Sequence, residues 1–406
     1  MGRMRRSIFR DPRMTESPIS LTAQHPPLLA LGFRPFFLAA AASALLLMLL
    51  WILELRGVVP SSAYLPGSLR HAHEMLFGYA GAVIAGFLLT AVRNWTGIQT
   101  PNGWKLGVLA LLWLAIRVAF WLPVPGWLIA LLDLAFFPAL ALGLFKPLWQ
   151  GKNRVNRVFL LLLAGMTGAG LLVHVQGLGM VADLAPRGLR LMLDLVLLTL
   201  LLVSGRVMPF FTRSALLVSQ PVQRPWVEWA TYGLGVALLP AHLFSLWSPL
   251  GGVLLLALAL IQGVRFQGWH HPQVWRNPML AVLYAGYLWL ILGLFLDGLA
   301  NFQWLPPYPA LHALTTGAVG VFTLGMMARV TLGHTGREMR ASRGTSLLFL
   351  LINLAAFIRT LLPLLDPSHY ALWLELSAGC WMLAFGLFLA IYGPMLVAPR
   401  VDGRPG

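Results

Sequence analysis

Twelve apolar runs, each long enough to cross a lipid bilayer, constrain this chain more than any other feature. A bilayer core takes about 20 residues of helix. Runs of that size fall at 33–55, 70–92, 104–122, 126–147, 155–178, 188–211, 227–247, 250–266, 277–298, 308–332, 344–364 and 370–397. Lipid offers no partner to a backbone N–H or C=O, so such runs fold as helices. The fold class is therefore all-α, a polytopic transmembrane bundle of about 12 helices. Residues 1–32 read as a cytoplasmic basic leader, 33–397 as a single transmembrane domain and 398–406 as a cytoplasmic tail. Arg5-Arg6 matches the start of an export signal, but the first apolar run is long and lacks a small-residue cleavage site. The connection at Ser248-Pro249 is short enough to make the seventh and eighth helices a tight hairpin.

Charge supports the same reading. Only 10% of residues are charged, and the net charge is +16, against about 25% charged in soluble domains. With the N-terminus inside, 23 Lys and Arg fall on the cytoplasmic side, among them Arg3, Arg5, Arg6, Arg10, Arg13, Arg34, Lys146, Lys152, Arg154, Arg157, Arg329, Arg337, Arg340 and Arg343. Four fall on the other side (Arg56, Arg70, Arg187, Arg190), and Arg117 and Arg359 lie within spans. That asymmetry predicts an N-in, C-in topology and accounts for the basic excess without nucleic acid. Trp95, Trp104, Trp121, Trp149, Trp226, Trp247, Trp275 and Trp304 lie near span ends, as interfacial belts require.

The polar residues inside this apolar frame are few. The single cysteine, Cys380, excludes a disulfide, an iron–sulfur cluster and c-type haem attachment within the chain. Of ten histidines, His71, His73, His174, His242, His312 and His369 share one depth at the outer face; His25, His270, His271 and His334 lie at the other. Glu74, Asp133, Asp194, Glu375, Arg117 and Arg359 repeat the outer bias. Each costs roughly 2.5–3.5 kcal/mol to insert, so such groups mark a site or pair with one another, as Arg117 with Asp133 or Arg359 with Glu375. Several histidines at one depth suit copper, zinc or haem iron. His71 and His73 stand two residues apart, about 200° around a helix, so they serve one ion only if His71 precedes the helix, and otherwise serve different sites. Below them Gly78, Ala82 and Gly86 form a small-residue stripe, and His312 heads a second with Thr316 and Gly320, beside Ala313 and Gly317. Such stripes allow close helix packing, or leave a slot for a flat macrocycle.

LGFRPFFL (Leu31–Leu38), the stretch His71–Gly97, SGRVMPFFTR (Ser204–Arg213) and the stretch His312–Arg337 together resemble the NnrS family of bacterial inner-membrane proteins over essentially the whole chain. The resemblance implies a multi-pass protein of the bacterial inner membrane that contains haem and copper, linked to nitric oxide, nitrosative stress and denitrification. It implies cofactor roles for His71 and His73 with Glu74, and for His312, Arg329, His334 and Arg337. His174 and His242 join the candidate metal ligands by depth. Many members carry a histidine ahead of the pair matching Gly286-Tyr287, where this chain has Tyr284.

The leading expectation is a haem- and copper-binding membrane protein that handles nitric oxide. A sharper form is a reductase taking electrons from quinol or a periplasmic donor, in which His71, His73, His174, His242 and His312 share the metals and Glu74 delivers protons. The rival class is a twelve-helix secondary transporter for a metal or small solute, whose site would lie near the midplane. The segment Leu332–Arg337 fits a second site, a proton inlet or, through Gly333 and Gly336, a helix cap.

Overall fold

The computed structural model describes residues 25–61, 64–217, 220–244 and 248–404. The basic residues from Arg3 to Arg13, and Trp247, lie outside the described residues. The described chain is helical, with no strand. Twelve long helices follow one another: α1 Phe33–Leu55, α2 Ser68–Thr96, α3 Gly103–Ala119, α4 Gly126–Gln150, α5 Arg154–Gly177, α6 Ala185–Ala215, α7 Pro225–Phe244, α8 Pro249–Trp269, α9 Pro278–Asn301, α10 Pro307–His334, α11 Arg343–Leu365 and α12 Pro367–Val397. Ten are long and apolar enough to cross a membrane. The other two are α3, at 17 residues, and α7, which carries Glu228 and two prolines.

Helices adjacent in sequence pack on one another, and α12 returns to α1, closing the chain on itself. Inside lie α2, α6 and α10. Their most apolar windows are 83%, 83% and 72% buried, against 39% for α1, α4, α8 and α12. The three meet pairwise: α6 touches both others, and Tyr79 of α2 hydrogen-bonds Thr323 of α10 at 2.5 Å. One apolar core runs from Leu31 to Leu396.

Two inner helices are not regular. α2 widens into π-helical turns at Glu74–Ala80 and α10 at Ala313–Val321, each directly after a histidine of the sequence motifs. A π turn frees carbonyls from the i→i−4 ladder. In α2 the carbonyl of Gly78 takes a bond from Trp113 Nε1 at 3.1 Å. A Cβ at Gly78 would stand 2.8 Å from Arg117 Nη1, so glycine lets that guanidinium approach α2.

The small-residue stripes serve close packing at three of their glycines. A Cβ added at Gly86 would meet Phe36 and Phe37, at Gly317 Trp289 and at Gly320 Trp381, each at 3.0 Å or less. His312 and Thr316 of the second stripe also line a cavity.

Candidate functional site

His71 and His73 sit in one regular helical turn, Ser68–His73, and therefore diverge. The His71 ring stacks on Trp51 of α1, centroids 4.8 Å apart. The His73 ring is fully buried, stacked on Phe77 at 4.5 Å and against Phe120 at 4.9 Å. The two imidazoles open onto two adjacent sites.

On the His73 side, one carboxylate organises the group. Asp133 Oδ2 of α4 lies 3.0 Å from His73 Nε2 and 2.9 Å from His174 Nε2 of α5. Its Oδ1 accepts from Arg117 Nη2 of α3 at 2.7 Å, while Arg117 Nη1 donates to Glu74 Oε1 at 2.5 Å. With both imidazoles donating from Nε2, His174 Nδ1 accepts from the Tyr64 hydroxyl at 2.8 Å. His73 Nδ1 faces Glu74 Oε1 at 3.4 Å. Arg117 is the one permanent cation beside the two carboxylates. Glu74 Oε2 is buried without a partner.

His73, Asp133 and His174 could hold a metal ion, their ligand atoms all lying within 4.8 Å of one another. Two imidazoles and a carboxylate suit copper(II), zinc or non-haem iron. The nitrogen–oxygen separations of 2.9 and 3.0 Å are near those of ligands that share an ion at roughly 2.0–2.1 Å. A bound ion would take the Nε2 lone pairs of both imidazoles, with the His174 proton carried at Nδ1 and donated to the Tyr64 oxygen, which would fix the ring.

On the His71 side lies a cavity of about 860 Å³ between α1, α2, α6, α10, α11 and α12. His71, His312, Arg359, Arg190, Tyr308 and Trp381 contribute to its wall. His312 donates from Nδ1 to the Tyr308 carbonyl at 2.7 Å, which leaves Nε2 as an unprotonated ligand atom. Arg359 donates from Nη2 to the Tyr370 hydroxyl at 2.8 Å, and its Nη1 is buried without a partner. Glu74 is not part of this wall.

His242 belongs to neither site. It lies 2.8 Å from Asp194 through Nδ1, beside Arg190, whose Nη2 donates to Asp297 at 2.5 Å. Depth alone grouped it with the other four histidines, but α7 stands at a different place around the ring. His369 is exposed and paired with Asp366 at 2.7 Å. The structure also separates Arg329, His334 and Arg337 from the histidines with which the motif groups them. From His312 to His334 is a rise of roughly 33 Å along α10. At that far end Arg329 donates to the Met279 carbonyl at 3.1 Å and covers Phe211. The His334 ring packs on Phe33 at 5.5 Å. No single cofactor spans both ends. Tyr284 is also remote from the cavity, bonded to the Trp269 carbonyl at 2.7 Å and Thr212 at 2.8 Å.

Of the two ion pairs expected from sequence, Arg117–Asp133 forms at 2.7 Å. Arg359–Glu375 does not. Glu375 is exposed and pairs with Arg56 at 2.8 Å, leaving Arg359 to Tyr370. Several participants gave no sequence signal that singled them out: Tyr64 precedes its helix, Tyr308 lies in the first turn of α10, and Glu54, bonded to the buried Arg70, and Asp297 sit near a span end.

An all-helical bundle with ten membrane-type spans and a buried His–Asp–His group is a polytopic membrane-type protein with a candidate metal centre. The chain belongs to the NnrS family, whose description, NnrS protein, matches residues 27–400. No curated protein shows significant similarity to it.

Proposed function

We propose that this protein binds haem and copper in the bacterial inner membrane and handles nitric oxide, protecting the cell from nitrosative stress. The observation that carries the reading is the divergence of His71 and His73, which puts a histidine-lined cavity and a His–Asp–His group on opposite faces of a single helical turn.

The cavity suits haem. Its volume lies within the roughly 300–1,000 Å³ usual for cofactor sites. His312 presents a free Nε2, His71 lines the same space, and the unpartnered Arg359 Nη1 offers a donor for a propionate. His73, Asp133 and His174 would hold copper. Bound haem iron and copper would supply affinity for nitric oxide and one-electron chemistry. Glu74, in contact with His73 Nδ1 and Arg117, would be the residue placed to pass protons to the group. Taken further, the protein is a reductase fed by quinol or a periplasmic donor. With the arginine-rich His334 end in the cytoplasm, both sites face the periplasm.

Purified protein tests this directly. A Soret band and copper by elemental analysis are expected, together with anaerobic nitric oxide consumption when reduced quinol is added. Absence of both metals removes the reading. The π turns of α2 and α10 beside one cavity favour a second reading, a transporter with interrupted helices. Solute uptake into vesicles by protein free of haem would establish it.

A further inference from the structure

The cavity beside His71 has a thin wall on one side. On α2, α6 and α10 its lining is buried, with Tyr79, Leu193 and Val319 being 2%, 3% and 4% exposed. On α1 Leu55 lines the same space and is 50% exposed, so a single layer of side chains parts the cavity from the outside of the bundle. Trp51 of α1 and Leu374 of α12, also in the lining, are half-buried. This thin wall follows the seam between α1 and α12.

The two helices run antiparallel, and away from the cavity they pack closely. Gly393 of α12 faces Leu38 of α1, and Gly386 faces Leu45. At the foot of the cavity Trp381 Nε1 donates to the Ala44 carbonyl at 2.9 Å. Above that bond Met48, Trp51 and Leu55 on α1 and Leu374, Ser377 and Ala378 on α12 all border the cavity. At the rim the helices are joined again by Arg56, whose Nε and Nη2 donate to the Glu375 carboxylate at 3.1 and 2.8 Å.

The two fastenings differ in strength. The Trp381 bond is buried, and breaking it would strand a donor away from water. The Arg56 and Glu375 side chains are 59% and 42% exposed. At such exposure water and salt replace most of what an ion pair supplies, so the pair opens at small cost. Just inside stands Arg359, bonded to the Tyr370 hydroxyl near the start of α12, with its Nη1 unpartnered.

We propose that the cavity takes its ligand sideways out of the lipid, through the seam between α1 and α12, and that the Arg56–Glu375 pair is the strap across that seam. The route sets the ligand class: a flat, mostly apolar molecule dissolved in the bilayer, with acidic groups on one edge for Arg359. Haem has that form, and the inference rests on the haem reading of this cavity.

Full-length protein purified without haem, mixed with phosphatidylcholine vesicles that carry haem, tests this through the rate at which the Soret band grows. Glu375→Gln should load about two- to fivefold faster than wild type, as expected for losing one exposed ion pair, and should reach the same final absorbance. Raised salt should speed the wild type in the same way and leave Glu375→Gln unchanged. In a chain with Arg56→Cys, Glu375→Cys and Cys380→Ser, a reducible crosslink between the two introduced thiols should slow loading about tenfold or more, with the rate restored on reduction. An unchanged rate in the crosslinked chain overturns the proposal and points to entry past Ser68, an exposed residue elsewhere on the cavity rim. A chain that gains no Soret band under any condition fails the haem reading itself, and the inference falls with it.

Discussion

Two buried ionic groups of this protein have nearly the same contents and opposite consequences. The first, across α2 to α5, holds Arg117, Glu74, Asp133, His73 and His174; the second, across α6, α7 and α9, holds Arg190, Asp194, Asp297 and His242. Each has one guanidinium and two carboxylates, and each starts from an inner helix on which an arginine precedes an acid by four residues, Arg70 before Glu74 and Arg190 before Asp194. The difference is where the pairing arginine stands. Arg117 comes from α3 and occupies only Oδ1 of Asp133, so Oδ2 is left to two imidazoles. Arg190 sits in the middle, with its donors on Asp297, Asp194 and the His242 ring at 2.5, 3.3 and 3.1 Å. A cation cannot enter the second group without expelling its arginine. Both arginines leave Oδ2 of their aspartate to imidazole; the first group brings two rings to that oxygen, while the second brings one, and the arginine bonds that ring as well.

Removing Arg190 should have the largest effect on stability. Arg190→Ala leaves two carboxylates buried with only His242 to face them, at a cost of about 3–5 kcal/mol. Thermal unfolding should show a large loss while the folded fraction keeps its copper. Asp133→Ala should destabilise by a similar amount, because Arg117 Nη2 and both imidazoles lose their shared acceptor, and it should abolish copper binding; copper retained at the wild-type ratio would break the contrast. His174→Ala removes a ligand and the Tyr64–His174 hydrogen bond, for about 1–3 kcal/mol and loss of the ion by elemental analysis. Tyr64→Phe should be mildest, about 1 kcal/mol, with metal affinity lowered roughly 10–100-fold in a chelator competition, because the outer nitrogen of His174 is no longer fixed.

The elements were far more legible in the sequence than the sites. Apolar runs at 70–92 and 308–332 correspond to α2 and α10 at Ser68–Thr96 and Pro307–His334, because length and hydropathy are local properties. Depth is also readable along a helix, and it brought out His73, His174, Asp133 and Arg117 together. Position around the ring is not readable, since it depends on how twelve helices close. Hence His242, at the right depth, belongs to the second group, and Glu375 faces outward to Arg56. The divergence of His71 and His73 was one of two geometric alternatives, and it turned on whether the helix begins before position 71, which it does at Ser68. Tyr64 carried no signal because its role depends on a loop folding back 110 residues in sequence from its partner.

The central claim is that one helical turn feeds two distinct cofactor sites, and His71→Ala and His73→Ala measured side by side test it most directly. The account predicts that His71→Ala lowers the Soret absorbance and keeps its copper, while His73→Ala loses copper and keeps the Soret band. Loss of the same metal group from both variants would contradict it, placing the two imidazoles at a single site.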